Sequence, residues 1–229
     1  MPAGGQDGFS FNNLTPFLNK AGYKTVVING CKIGEKKGPI MGRTLHDLAN
    51  QIAELIKIIS DTPIHVLGWA FGNRVARCLA EDHPKLVKAV ILLAAGGRVP
   101  PTPETSMYFG VLRKKNSSRD KKLEALKFLF FSNSTDIETV EFAFKDRKPW
   151  AETTQTTPLM EWWNGGQVPI LVIQGFDDKT AVPENGIILK KDNEERVTLV
   201  NIENSGHFMV YEQPEQVAEA IISFLSSFQ

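Results

Sequence analysis

The chain has 229 residues, enough for one folded domain, and its 26 lysines and arginines balance 26 aspartates and glutamates. Zero net charge argues against a large field for nucleic acid or an anionic membrane, so neither is expected as a partner. No apolar run reaches the roughly 18 residues of a membrane span, and no signal peptide is visible. Cys31 and Cys78 show no metal-binding spacing and predict no disulfide framework, which favours the cytoplasm.

The first part of the chain predicts a helix, a strand and a second helix. Residues Phe9–Gly22 have a helical pattern that ends at glycine, and the β-branched run Lys24–Asn29 predicts a strand. Thr44 and Asp47 resemble a capping box at the start of a long helix. Apolar residues in that helix recur at helical spacing and predict one buried stripe: Leu45, Leu48, Ile52, Leu55, Ile56 and Ile59.

The rest of the chain alternates apolar strands with helices, apart from one long insertion. This order predicts an α/β fold with a mostly parallel sheet flanked by helices. The predicted strands are Pro63–Gly68, Lys88–Ala94, Val168–Gln174 and Arg196–Ile202. The predicted helices are Phe71–Glu81, a helix from Pro183 onward, and Pro214–Phe224.

Residues 98–167 carry no strand pattern and predict a helical lid between two strands of the core, which comprises residues 1–97 and 168–229. Helical patterns cover Glu104–Leu112, Lys121–Phe131 and Ile137–Phe144. The segment is rich in aromatic residues, most of which are expected to form its own core. Three of its aromatic residues are candidates for lining a substrate pocket: Tyr108, Phe109 and Trp162.

Residues 68–72 read Gly-Trp-Ala-Phe-Gly, the frame of a nucleophile elbow with alanine at the nucleophile position. Such an elbow is a sharp turn from strand to helix that lifts one side chain above a parallel sheet. Here that side chain is the methyl group of Ala70, which can neither attack a carbonyl nor give up a proton. Trp69 and Phe71 flank the turn and are expected to line the site.

Two further residues follow the elbow in the order that acyl transfer on such a sheet requires. His207 lies between the last strand and the last helix, where its loop faces the carboxyl ends of the strands, so it is the candidate base. Asp178 follows a strand and is the candidate acid, while the neighbouring Asp177 could instead hold the turn. Backbone N–H groups of Phe71 and of Gly4 are the candidate oxyanion donors.

These motifs resemble the α/β-hydrolase superfamily, in its branch of lidded esterase, epoxide hydrolase and dehalogenase relatives. The resemblance rests on HVLGWAFGNRVARCLAEDHPKLVKAVILLAAGG, VPILVIQGFDDKTAVPENG and NSGHFMVYEQPEQVAEAIISFL, and it covers the chain from about Gly4 to its end. It implies Asp178 as the family acid, His207 as the base and Ala70 at the nucleophile position. It also implies a small-molecule substrate, and neither a cofactor nor a metal is expected.

The chain departs from this family in two ways. The family places Ser, Asp or Cys where Ala70 stands. The family sheet also has three strands before the oxyanion loop, and the third inserts between the strands predicted at Lys24–Asn29 and Pro63–Gly68. We therefore expect that Met1 is not the natural start, or that a partner chain fills the sheet edge by strand exchange or dimer formation. Direct pairing of those two strands would contradict this expectation.

Ala70 leaves three interpretations open. In the first, a serine has been replaced, and the protein derives from a hydrolase for small, mostly apolar esters or related acyl compounds. In the second, His207 and Asp178 act without a nucleophile and activate a water or a substrate directly. In the third, the chain is a non-catalytic relative that binds a ligand. Cys31 lies in a loop near the same edge, but no base beside it is predicted.

Overall fold

The protein is described by a computed structural model that covers residues 1–28, 44–144 and 157–228. Its centre is a sheet of four parallel strands in the order β1-β2-β3-β4, so neighbours in sequence are neighbours in space. The predicted parallel sheet is thereby confirmed. The strands are β1 (Ile64–Trp69), β2 (Val87–Leu93), β3 (Ile170–Gly175) and β4 (Val197–Ile202).

Helices flank this sheet and connect its strands, as parallel pairing requires. The helices are α1 (Thr15–Lys20), α2 (Leu45–Ile59), α3 (Phe71–Asp82), α4 (Pro103–Arg113), α5 (Arg119–Phe130), α6 (Ile137–Phe144), α7 (Glu184–Asp192), α8 (Met209–Glu212) and α9 (Pro214–Ser226). Short 3₁₀ segments lie at Gly8–Phe11, Pro84–Leu86 and Leu159–Glu161. None of the helices within the described ranges is long and apolar enough to cross a membrane.

The sheet is buried on both faces by two separate apolar cores. Strand β3 shows the alternation, because Leu171 and Ile173 belong to one core and Ile170 and Val172 to the other. The first core also receives apolar residues of α1, α5, α8 and α9, and the second receives those of α2 and α3. The apolar strand sequences follow from this two-sided burial.

Helix α2 begins at the predicted capping box. The Thr44 hydroxyl accepts the Asp47 N–H at 3.1 Å, and the Asp47 carboxylate accepts the Thr44 N–H at 2.8 Å. The predicted stripe is buried except at its end, where Leu55 is half-buried and Ile59 is 45% exposed. Ile59 stays exposed because no described element covers the last turn of this face.

The region before α2 differs from the sequence prediction. The helix predicted for Phe9–Gly22 is instead a 3₁₀ turn followed by α1, which begins at Thr15 and has Pro16 in its first turn, where a missing N–H costs nothing. The strand predicted at Lys24–Asn29 is wrong for residues 24–28, which have no strand assignment and pair with none of the described strands, and Asn29 lies outside the described residues. β-Branched composition favours a strand only where a partner supplies hydrogen bonds.

Residues 98–167, here called the insert, contain α4, α5 and α6 and no strand in their described part. The ends of these three helices lie within two residues of the predicted ends. Helices α4 and α5 begin with side-chain caps, since the hydroxyls of Thr102 and Ser118 accept the N–H groups of Thr105 and Lys121. The aromatic residues of α4 and α5 pack against the first core, whereas Trp162 and Trp163 of the insert belong to the second core.

Candidate active site

The elbow connects β1 to α3 and holds Ala70 in a backbone conformation that alanine avoids. Ala70 has φ 50° and ψ −108°, in the left-handed half of the map. Hydrogen bonds fix it there, because its N–H donates to the Leu93 carbonyl at 2.9 Å and its own carbonyl accepts the Asn73 N–H at 3.1 Å. The sharp turn of the predicted elbow is therefore present, and the side chain of Ala70 there is a methyl group.

The two glycines of the motif permit the close approach that this turn needs. A Cβ on Gly68 would lie 2.3 Å from the carbonyl oxygen of Gly72. A Cβ on Gly72 would lie 2.3 Å from the carbonyl oxygen of Met1. Both separations are far below a normal contact, so only glycine fits at either position. The backbone of Met1 and Pro2 thus packs directly against the first turn of α3.

His207 and Asp178 form a buried pair at the carboxyl ends of β3 and β4. The Nδ1 of His207 lies 2.8 Å from Oδ2 of Asp178, and the two residues are 6% and 2% exposed. The other carboxylate oxygen accepts the N–H groups of Thr180 and Ala181, each at 2.7 Å. With the carboxylate as acceptor, Nδ1 carries the proton and Nε2 has a free lone pair.

Asp177 has a different partner from its neighbour. Its side chain accepts the hydroxyl of Ser132 at 2.6 Å, so it joins the insert to the loop after β3. The geometry therefore places Asp178, and not Asp177, beside the imidazole of His207. A Cβ on Gly175 would lie 2.2 Å from the carbonyl of Gly206, which shows how tightly the aspartate and histidine loops pack.

Trp69 connects the histidine loop to the elbow. Its Nε1–H donates to the main-chain carbonyl of His207 at 2.8 Å, and its ring packs edge-on against Phe208 with centroids 4.8 Å apart. Because Trp69 directly precedes Ala70, this bond brings His207 to the same end of the sheet as the elbow. Trp69 is completely buried, so it supports the site from below instead of lining an open pocket.

The predicted oxyanion donors lie near the turn. Phe71 begins α3, where N–H groups and the helix dipole favour negative charge. Gly4 follows Ala3, which is buried, and Gly5 adopts φ 78° in the same turn. The roles of Phe71 and Gly4 as oxyanion donors remain predictions.

The other predicted pocket residues separate into two groups. Tyr108 and Phe109 lie on α4, where Tyr108 stacks on Phe128 and Phe109 contacts Phe130, whose ring lies 5.7 Å from that of His207. Trp162 lies elsewhere, in the core on the opposite face of the sheet. There its ring stacks against the guanidinium of Arg77, which lies 4.5 Å from the ring centroid, so it is a structural residue.

Glu212 was missed by the sequence analysis, and it anchors the histidine loop. Its carboxylate accepts the N–H of Gly206 and the N–H of Ser132, each at 2.7 Å, as well as the hydroxyl of Thr135. Burial raises the pKa of this carboxyl above its usual range. The sequence signal that could have identified Glu212 is its position as an acidic residue at the end of the apolar run after His207.

Asn73 and Gln174 form a second polar network behind the elbow. The Asn73 amide donates to the carbonyl of Ala94 at 3.0 Å, and Gln174 both accepts the N–H and donates to the carbonyl of Ala95. The Arg77 guanidinium bridges Asn73 and the loop after β2. These buried side chains form hydrogen bonds with the backbone groups that follow β2, and the bonds make the backbone behind the elbow rigid.

A cluster of possible metal ligands lies away from this site. Within the described ranges, the ligand atoms of His46, Cys78 and Asp82 all lie within 4.8 Å of one another. The imidazole bridges Asp82 at 2.8 Å and Glu161 at 2.9 Å, and these hydrogen bonds, with that to Asp82 first, raise the pKa of His46. The cluster joins α2 to α3 and has no contact with the acid–base pair. Cys78 is buried, and Cys31 lies outside the described residues.

Comparisons with known proteins agree with this architecture. The profile of the Alpha/beta hydrolase family matches residues 15–220. The 2-hydroxy-6-oxo-6-(2'-aminophenyl)hexa-2,4-dienoic acid hydrolase of Metapseudomonas resinovorans is 22% identical over 98% of this chain and 81% of its own. An Exiguobacterium antarcticum esterase superposes with TM-score 0.78 at 18% identity, covering 96% of this chain and 88% of its own. A Mycobacterium tuberculosis protein assigned as a non-heme bromoperoxidase superposes with TM-score 0.81 at 22% identity, covering 100% of this chain and 91% of its own. The chain therefore belongs to the alpha/beta hydrolase family.

Proposed function

We propose that this protein has a serine-hydrolase-type site for a small, mostly apolar ester or related acyl compound, whose activity is weak or absent because Ala70 provides no nucleophile. The observation that carries the proposal is that the turn and the His207–Asp178 pair are both present, whereas residue 70 has no hydroxyl group. The turn at Ala70 is strained as a nucleophile elbow is, and His207 and Asp178 are paired at 2.8 Å.

The proposed chemistry assigns each residue one role. Asp178 holds the proton on Nδ1 of His207, and Nε2 then accepts a proton from a nucleophile above the elbow. The N–H groups of Phe71 and Gly4 stabilise the oxyanion. Without the hydroxyl, the loss resembles removal of a triad nucleophile, about a millionfold in subtilisin, where roughly a thousand- to ten-thousandfold over water remains.

The test is to restore the hydroxyl with Ala70→Ser. We expect Ala70→Ser to hydrolyse p-nitrophenyl acetate and butyrate about a thousandfold or more faster than the unmodified protein. The serine variant should also be labelled by a fluorophosphonate probe, which requires no knowledge of the natural substrate. The double variant Ala70→Ser, His207→Ala is the matched control and should lose both signals.

A second candidate is direct catalysis by His207 and Asp178 on a water or a substrate proton. In the described part of the chain, no residue hydrogen-bonds Nε2 of His207, so this nitrogen is available to a water. Any residual hydrolysis by the unmodified protein should then disappear in His207→Ala and in Asp178→Asn. If binding of an apolar ester persists in those variants while turnover is absent in all of them, the site is that of a ligand-binding pseudoenzyme.

A folded Ala70→Ser variant with no turnover and no fluorophosphonate labelling would contradict the proposal. Far-ultraviolet circular dichroism and thermal unfolding establish that the variant is folded. The control variant Ala76→Ser places a serine at a buried helix position with no base beside it. Its labelling gives the background.

A further inference from the structure

A cluster of metal-binding side chains lies where α2 packs on α3, apart from the candidate active site. We call it the helix-junction cluster, and it consists of His46 on α2 with Cys78 and Asp82 on α3. The two residues of α3 are 4 positions apart, so they share one face of that helix. The sequence showed no metal-binding spacing because His46 lies 32 residues before Cys78 and only the packing of the helices brings them together.

The three candidate ligand atoms are spaced much as zinc requires. The Sγ of Cys78 lies 3.4 Å from Nδ1 of His46 and 3.5 Å from Oδ2 of Asp82, and the last two atoms are 2.8 Å apart. Tetrahedral zinc, with bonds of about 2.0–2.3 Å, separates its ligand atoms by about 3.4–3.6 Å. Two of the three separations therefore agree. The third needs a small outward shift of Asp82, which is exposed and has room for it.

Glu161 adds an arrangement that is typical of zinc-bound histidine. Its carboxylate lies 2.9 Å from Nε2 of His46, the ring nitrogen that is not bonded to Asp82. A carboxylate that accepts the proton of one ring nitrogen fixes the tautomer and makes the other nitrogen more basic. Nε2 then keeps its proton, and Nδ1 can give its lone pair to an ion. Glu161 is thus a positioning residue and not a ligand.

Hydrogen bonds outside the cluster hold its elements in place. The hydroxyl of Thr157 accepts the N–H of Leu45 at 2.8 Å, which fixes the start of α2 to the segment that leads to Glu161. Farther along α2, the amide oxygen of Asn50 lies 2.7 Å from Nε2 of His83, at the end of α3. The ligand side chains therefore meet without an ion, and binding one loses little conformational entropy.

The charge around the thiol favours a cation. Burial, together with the negative charges of Asp82, Glu161 and Glu81, raises the pKa of the Cys78 thiol. A divalent ion beside the sulfur would supply the opposite charge that a thiolate needs. Binding displaces the protons of Cys78 Sγ and His46 Nδ1 into solvent, so two positive charges leave as two arrive and the net charge of the cluster is unchanged.

We propose that the helix-junction cluster binds one zinc ion through Nδ1 of His46, Sγ of Cys78 and a carboxylate oxygen of Asp82, with a solvent molecule as the fourth ligand. Nitrogen and sulfur donors select zinc over magnesium and calcium, which prefer oxygen. The ion joins α2 to α3 and stabilises their packing, so the protein should resist heat better with zinc than without it.

Cobalt(II) is the spectroscopic probe, because zinc itself has no visible absorption. The full chain, reduced and freed of metal with a chelator, should develop a thiolate-to-cobalt charge-transfer band that is complete at one equivalent. Zinc should displace the cobalt and remove the band, with a dissociation constant in the micromolar range or below, whereas magnesium and calcium should not. Zinc should also raise the midpoint of thermal unfolding.

The chain contains a matched control for both the thiol and the imidazole. Cys78→Ala should abolish the charge-transfer band, whereas Cys31→Ala should retain it. His46→Ala should abolish tight binding, whereas His83→Ala, which removes a neighbouring imidazole outside the cluster, should leave it unchanged. Glu161→Gln should keep the band and weaken binding about 10–100-fold, as expected of a positioning residue.

Asp82→Asn keeps the test open if a change at the buried Cys78 prevents folding, which circular dichroism establishes. Because Asp82 is a ligand in the proposal, this variant should weaken zinc binding more than Glu161→Gln does. Cobalt binding without a charge-transfer band, or a band that survives Cys78→Ala, would overturn the proposal. Equal zinc affinities of the unmodified protein and Asp82→Asn, or zinc binding that leaves the unfolding midpoint unchanged, would overturn it as well.

Discussion

Replacing Ala70 by glycine tests whether the turn between β1 and α3 carries backbone strain. The Cβ of Ala70 opposes its φ of 50°, at a cost of about 1–2 kcal/mol for an L-residue in the left-handed region. Glycine relieves this cost and adds about 0.5–1 kcal/mol of chain entropy to the unfolded state. The net expectation for Ala70→Gly is a gain of about 0.5–1 kcal/mol in the free energy of unfolding.

The matched control is Ala76→Gly in α3, the helix that follows Ala70, where the alanine is completely buried and has no positive φ. Loss of helix propensity and of one buried methyl group should cost about 2 kcal/mol there. Urea unfolding followed by tryptophan fluorescence measures both, and unchanged slopes exclude a shift in the unfolded state. If Ala70→Gly destabilises the protein as much as Ala76→Gly does, the turn is not strained and the reasoning is wrong.

Three further predictions concern the surroundings of the elbow. Gly72→Ala should cost about 1–3 kcal/mol or prevent folding, since its Cβ would meet the Met1 carbonyl at 2.3 Å; soluble yield and thermal unfolding measure this. Trp69→Phe should cost about 1–3 kcal/mol in urea unfolding, because the buried carbonyl of His207 loses its donor. In a chain whose first residue is Met1, this amino group should contribute a rise in stability of at most about 4 kcal/mol between pH 5 and pH 8, because its pKa falls from 8.0 to about 5 on folding and the unfolded chain binds the extra proton. Amino-terminal acetylation should flatten that rise, and an unchanged slope would contradict the burial of this group.

Sequence patterns predicted the parts of the molecule that depend on local order. The alternation of strands and helices, the capping box at Thr44 and the elbow frame are short-range signals, and each is present in the structure. The pairing of His207 with Asp178 was also predictable, because the ends of parallel strands meet at one edge of the sheet.

The errors arose where tertiary contacts decide the outcome. Residues 24–28 have strand composition, but pairing depends on a neighbour that composition cannot indicate. Trp162 was expected near the pocket because aromatic content does not reveal which face of the sheet a ring covers. Glu212 was missed because its role depends on Ser132 and Thr135, which lie about eighty residues earlier in the chain.

The same stretch of the insert is bonded to both loops that carry the paired side chains of Asp178 and His207. The carbonyl of Leu129 accepts the Thr180 hydroxyl, the carbonyl of Phe130 accepts the Phe208 N–H, and Ser132 contacts Asp177 and Glu212. The end of α5 is consequently part of the frame that aligns the imidazole, and it cannot swing outward without disassembling that frame. Exchanging the whole insert for that of a relative would therefore remove bonds that hold the loops of Asp178 and His207 in place.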